Sequence, residues 1–263
     1  MIRVLPGKYA FGVILYTSRL GSSQLKTIIL AGGLGTRLSE ETVSKPKPMV
    51  EIAGKPIIEH LVEIYSAQGF NEFELALGYK KELLQHWAKT YIDVNNVRIT
   101  ATDTGLDTQT GGRVKRIFSG ISDTQVFVTY GDGLANINLN ELLKFHNSHG
   151  KIATVTAVRP PARFGHLQIN GDRVVHFGEK NQADEGWING GFFVFEREVL
   201  NLIDSDYEAL EHGALPRLSE AGELMAYHHF GFWKPMDALR DKLELDSLAN
   251  SGNPPWKYVF DES

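Results

Sequence analysis

The sequence predicts an α/β fold with a mostly parallel sheet, on three observations. Short β-branched or aromatic runs alternate with helix-periodic segments from Leu25 onward. The first of these runs leads directly into a glycine-rich loop, and an Asp flanked by glycines stands just past a later run. A chain of 263 residues accommodates one large α/β domain or two small ones. No linker-like change of composition interrupts residues 25–263, so a single mixed domain is expected there, with residues 1–24 as a separate leader.

The leader carries an apolar stretch, Phe11 to Tyr16, between the basic residues Arg3, Lys8 and Arg19. It is short for a signal peptide, so an extra strand or a dispensable leader is the expectation. Strands are expected at Thr27 to Leu30, Phe73 to Leu77, Val97 to Thr100, Val126 to Tyr130, Ile152 to Val158 and Phe192 to Phe195. Ile57, Ile58, Leu61, Ile64 and Tyr65 recur at helical spacing and stop at Gly69, a residue suited to a left-handed cap. Further helices are read at Lys81 to Trp87, Leu139 to His146 and Ala238 to Leu248. Asn170-Gly171 between two apolar runs reads as a hairpin with a type I′ turn.

Composition removes several classes of function. With 27 Lys plus Arg against 32 Asp plus Glu, the net charge of −5 argues against a general nucleic-acid binder or a polybasic membrane protein. The absence of cysteine excludes disulfides, thiolate metal sites and cysteine nucleophiles. Apolar runs fall far short of the ~20 residues that span a bilayer. The nine histidines form no metal motif, and His228 and His229 would point to opposite faces of a strand. A soluble, cytoplasmic enzyme is expected, with no nucleic-acid or membrane partner.

The loop Leu30-Ala31-Gly32-Gly33-Leu34-Gly35-Thr36-Arg37-Leu38 is the most informative segment. Its glycines let backbone N–H groups converge on an anion, and Arg37 adds a bidentate phosphate donor. The Walker pattern is absent, and the dinucleotide pattern fails because Leu38 occupies the third glycine position. Asp132, in Thr129-Tyr130-Gly131-Asp132-Gly133, falls at the carboxyl edge of a strand, where ligands of open α/β sheets bind. It is a candidate ligand for a hard divalent cation or a structural turn residue. Asp237, just before the last helix, is either a second such ligand or that helix's N-cap.

The order LAGGLGTRL, then KPKPMVEI, then GKPII resembles the N-terminal signature of the sugar-1-phosphate nucleotidylyltransferases, the NDP-sugar pyrophosphorylases. That resemblance implies a three-layer α/β/α sandwich with a mixed, mainly parallel sheet, a Rossmann-like architecture. It implies nucleotide binding by Leu30, Ala31, Gly32, Gly33, Gly35 and Thr36, with Arg37 and Lys47 as catalytic contacts to the phosphates. Asp132 and Asp237 would hold Mg²⁺. Gly178-Glu179-Lys180 and Ile188-Asn189-Gly190-Gly191 match the segments that grip the sugar phosphate, with Lys180 on the phosphate, Glu179 and Asn189 on sugar hydroxyls and Gly190 beside them.

Within the family, the resemblance narrows to the glucose-1-phosphate cytidylyltransferase branch. It does so through Asp103-Thr104-Gly105, Thr110-Gly111-Gly112-Arg113, Arg163-Phe164-Gly165 and Pro235-Met236-Asp237. Thr110, Gly111, Arg113 and Tyr130 are implied on the nucleotide side. Two departures stand out: a short stretch between Trp87 and Asp103, and Asn181 in place of the Pro that usually follows Glu-Lys. The implied reaction joins CTP and α-D-glucose 1-phosphate, in a homo-oligomer of nucleotide-sugar biosynthesis. Open alternatives are uridylyl, thymidylyl or guanylyl transfer to another sugar 1-phosphate, a non-catalytic nucleotide-sugar-binding homologue, or a glycosyltransferase. The last would need an Asp-x-Asp motif, present here only as Asp204-Ser205-Asp206.

Overall fold

A computed structural model describes residues 13–16, 25–159, 166–178 and 186–257. In chain order its elements are β1 (Val13–Tyr16), β2 (Lys26–Ala31), α1 (Ser39–Thr42), β3 (Glu51–Ile52), β4 (Lys55–Pro56), α2 (Ile57–Ser66), β5 (Glu72–Leu77), α3 (Lys81–Asn95), β6 (Arg98–Asp103), α4 (Thr110–Gly120), β7 (Gln125–Tyr130) and β8 (Gly133–Ala135). There follow α5 (Leu139–His149), β9 (Ala153–Val158), β10 (His166–Asn170), β11 (Arg173–Gly178), β12 (Ile188–Asn189), β13 (Phe193–Glu196), α6 (Ala214–Glu220), β14 (Leu224–His229), β15 (Trp233–Pro235) and α7 (Leu239–Asn250).

Strands β6, β5, β2 and β7 lie side by side and parallel, as βα crossovers require. Beyond β7 the sheet turns mixed: β13 runs antiparallel to both β7 and β9, β12 is antiparallel to β9, and β14 lies parallel on β9. The leader contributes β1, antiparallel to β6 at the opposite edge. Alternation along β2 shows the layering. Ile29 and Ala31 join a core with α2 and α3, whereas Ile28 and Leu30 join a second core with Val114, Ile117 and Phe118 of α4 and Leu215 and Leu218 of α6. Burial on both faces explains why β2 reads as a continuous apolar run. The expected three-layer sandwich is the architecture observed.

Several elements differ from expectation. Helix α3 continues eight residues past Trp87 because Leu84, Trp87, Ala88, Tyr91 and Ile92 repeat at helical spacing into the core. Asn96 and Val97 then join it to β6, the short stretch noted above. Helix α4 had no sequence signal, since two glycines stand in its first turn. The hairpin of β10 and β11 forms, but Gly171 and Asp172 are its loop residues and Gly171 alone carries a positive φ, of 58°, the type II′ pattern. Gly69 has the expected left-handed conformation, φ 92°. No helix among the described residues is long and apolar enough to cross a membrane.

Candidate active site

At the carboxyl ends of β2 and β7 a cleft of about 670 Å³ opens, floored by the glycine-rich loop. Leu30, Ala31, Gly32, Gly33, Gly35, Thr36, Arg37, Lys47, Thr110, Arg113, Tyr130 and Asp132 all line it. The loop leaves β2, turns at Gly35 (φ 64°) and closes through the Leu38 N–H donating to the Gly35 carbonyl at 3.0 Å. A Cβ on Gly35 would lie 3.0 Å from Thr42 and 3.1 Å from Lys47, so this turn admits little besides glycine.

Lys47 is the centre of charge. It opens a 3₁₀ turn between Pro46 and Pro48, and its Nζ donates to Asp132 Oδ2 at 2.5 Å and to Asp237 Oδ1 at 2.9 Å. Burial works against the ammonium, but the two carboxylates outweigh it and hold Lys47 above its usual range. Arg37, largely exposed, approaches Asp237 Oδ2 at 3.2 Å.

The two aspartates meet because β8 begins right after Asp132 and β15 ends two residues before Asp237. These strands pair antiparallel with Pro235 opposite Gly133, and the Met236 N–H donates to the Asp132 carbonyl at 2.9 Å. A helix-capping role for Asp237 does not hold. Asp241 reaches back to accept the N–H groups of Asp237 and Ala238 at 3.1 and 2.9 Å, leaving the Asp237 carboxylate to face Lys47 and Arg37. Gly131 lets β7 end close to its neighbours, since a Cβ there would sit 3.0 Å from the Leu30 carbonyl and 3.1 Å from Pro48.

Arg113 takes an unexpected place. Its guanidinium is buried beneath the loop and donates to the carbonyls of Leu77 at 2.7 Å, Gly32 at 3.1 Å and Leu106 at 3.3 Å, and to Thr104 Oγ1. Burial lowers it to about 10, still charged at neutral pH. It acts as a strut under Gly32, and a Cβ on Gly32 would meet its Nη1 at 2.2 Å. Gly111 stays out of the cleft: its N–H donates to the Glu208 carbonyl at 2.9 Å, against which the helix start packs. At Gly112 the approach is closer still, since a Cβ would lie 2.4 Å from the Asp206 carbonyl oxygen and 2.5 Å from its Cα. Gly112→Ala is therefore expected to destabilise the protein by about 2 kcal/mol, an overpacking cost, read as a lowered thermal midpoint.

Asn189 reaches the cleft through Tyr130, its Nδ2 donating to the phenol oxygen at 3.2 Å. Gly190 is buried, and its carbonyl accepts the Trp233 indole N–H at 2.8 Å. Glu179, Lys180, Asn181 and the Arg163-Phe164-Gly165 segment lie outside the described residues. The Asp-x-Asp pair is occupied elsewhere: Asp206 binds Arg116 at 2.6 Å and Asp204 lies 3.4 Å from Arg217. Glu211 was missed by sequence reasoning, although its carboxylate lines the cleft. Leu210-Glu211-His212 belongs to no motif, and nothing in that stretch marks it.

Among the described residues no group of three or more histidines and carboxylates is arranged so that it could hold a metal ion. A pair of hard oxygen donors around a cationic centre nevertheless suits Mg²⁺, which often takes one or two carboxylates and completes its shell with phosphate and water oxygens.

Comparison with known proteins agrees with this geometry. Residues 26–235 match the nucleotidyl transferase family model. Glucose-1-phosphate cytidylyltransferase of Salmonella typhimurium is 45% identical over 254 residues, covering 89% of this chain and 99% of that protein. Mannose-1-phosphate guanyltransferase of Hypocrea jecorina is 32% identical over 243 residues, covering 87% of this chain and 66% of that protein. The crystal structure of HddC from Yersinia pseudotuberculosis superposes with a TM-score of 0.66 at 25% identity, over 85% of this chain and 99% of that one. The glycine-rich loop, the converging aspartates and these matches agree: the chain belongs to the nucleotidyl transferase family.

Proposed function

We propose that the protein transfers the cytidylyl group of CTP to α-D-glucose 1-phosphate, giving a nucleotide diphosphate sugar and pyrophosphate. The observation that carries this reading is Lys47 clasped by Asp132 and Asp237 at the mouth of the glycine-rich cleft. The Salmonella relative's activity supports the choice of base and sugar.

A phosphate oxygen of the sugar 1-phosphate forms a bond to the α-phosphorus of CTP. The bond from that phosphorus to the bridging oxygen breaks, and pyrophosphate leaves with the electron pair. The nucleophile is already anionic, so no general base is required. Two polyanions must approach while charge grows on the leaving group, so catalysis rests on preset position and charge. Arg37 and Lys47 stabilise the β- and γ-phosphate oxygens, and backbone N–H groups of the loop from Ala31 to Thr36 hold the nucleotide. Arg113 keeps that loop in place from below. Lys180, Glu179 and Asn189 take the sugar phosphate. Asp132 and Asp237 would hold Mg²⁺, which supplies Lewis-acid polarisation of the α-phosphate when bound.

The assay is a matrix of CTP, UTP, dTTP and GTP against several sugar 1-phosphates, with pyrophosphate measured. CTP with glucose 1-phosphate is expected to be the most efficient pair. Equal efficiency with UTP removes the cytidylyl assignment, and no pyrophosphate from any pair removes the function. Val13–Tyr16 form β1 at the sheet edge and do not line the cleft, so a chain starting at Leu25 is expected to keep its turnover. A folded but inactive shortened chain overturns that expectation.

A further inference from the structure

We propose that Glu211 is a positioning residue for the sugar side of the cleft: a carboxylate that can only accept hydrogen bonds, it fixes the direction of a relay through Tyr130 to Asn189. This rests on the reading of the cleft given above and extends it to a residue that no motif marks.

The relay is determined proton by proton. Thr110 Oγ accepts the Leu210 N–H at 2.8 Å and gives its own proton to Glu211 Oε2 at 2.9 Å. The other oxygen, Oε1, accepts the Tyr130 hydroxyl. At neutral pH the Tyr130 hydroxyl holds its proton, the ordinary state of a phenol. A phenol carries one proton. With that proton committed to Glu211, the oxygen must accept from its remaining neighbour, so the Asn189 atom at 3.2 Å is the amide nitrogen. At its other end the Asn189 Oδ1 accepts the Gly191 N–H at 2.9 Å. Both ends of the amide are thus fixed, and one N–H of Asn189, an exposed residue, remains for the sugar.

A carboxylate on the wall of a cleft for two polyanions repels phosphate. Its placement between two hydroxyl donors is consistent with a role as a fixed acceptor. The elements also agree: Thr110 begins α4, Tyr130 ends β7 and Asn189 ends β12, so Glu211 ties the nucleotide side of the cleft to the sugar side. Gln at position 211 keeps the shape but can present N–H to Tyr130. The phenol is then free to reverse, and Asn189 must choose between it and Gly191.

The test compares the wild type with Glu211→Gln, Tyr130→Phe and the double variant, each titrated calorimetrically with CDP-glucose and with CDP and each given a thermal midpoint. Glu211→Gln is expected to weaken CDP-glucose about 10-fold, the scale of one misdirected hydrogen bond, and CDP less than about 2-fold, at an unchanged midpoint. Tyr130→Phe should match it, and the double variant should be no weaker than either single one, because both break the same relay. Unchanged CDP-glucose affinity in Glu211→Gln overturns the relay, as does an equal loss for CDP or full additivity. A wild type that binds neither ligand overturns the parent reading of the cleft and the relay with it.

Discussion

Asp237→Asn is expected to lower kcat by about 100- to 1,000-fold, the scale of deleting one preset electrostatic stabiliser, with little change in the thermal midpoint. The stability side follows from the local bonds. Asp241, not Asp237, caps α7, and Lys47 keeps Asp132 when Asp237 loses its charge. What remains to lose is one partly exposed ion pair with Lys47 and a looser one with Arg37, together worth at most about 1 kcal/mol. Asp132→Asn should behave alike, and the double Asn variant should cost little more than the worse single one if the two carboxylates act as a unit. Mg²⁺-dependent turnover and thermal melting of the three variants check this. A normal rate for Asp237→Asn overturns the shared-site assignment.

Lys47→Met should cost as much in rate and, unlike the aspartate changes, should also cost stability. The Lys47 side chain is 10% exposed, and its Nζ stands 2.5 and 2.9 Å from the carboxylates of two aspartates whose side chains are about a quarter exposed. Removing it leaves like charges facing each other across the gap, at a cost of about 2 kcal/mol, between the surface and fully buried cases. For a chain of this length that is a midpoint lowered by roughly 5 °C. Added Mg²⁺ is expected to recover much of the midpoint, because a divalent ion replaces the lost charge, but not the rate, since the proposed phosphate contact of Lys47 is gone. Equal midpoints with and without Mg²⁺ would show that the carboxylates do not form a metal site in that variant.

The parallel strands were legible because burial on both faces makes each an uninterrupted apolar run, and the glycine-rich loop was legible because its conformation restricts which residues can stand there. Asp132 and Lys47 carried local signatures. The partnership of Asp237 with them did not, since the pairing of β8 with β15 joins segments of three residues that no periodicity reveals. Helix α4 was hidden by Gly111 and Gly112, which read as loop residues but are needed where the helix start presses on the backbone at Asp206 and Glu208. Arg113 is the instructive case. The resemblance implied a place on the nucleotide side, and only burial and bond geometry show that its guanidinium is spent on carbonyls beneath the glycine-rich loop. Glu211 was invisible for a related reason: its importance lies in what it touches across 101 and 81 residues of chain, at Thr110 and Tyr130.

The short ribbon of β8 and β15 also orders events during synthesis. Lys47 and Asp237 are separated by 190 residues, so the second carboxylate joins the site only after most of the chain has left the ribosome. A nascent chain that ends before β15 already holds β2, β5, β6 and β7, complete by residue 130, but it lacks Met236, Leu245 and Trp256 of the core they share with α2 and α3. Such an intermediate leaves Lys47 with Asp132 alone. The lysine therefore gains its second carboxylate only once β15 has paired with β8, which makes the completed charge cluster a late event in folding.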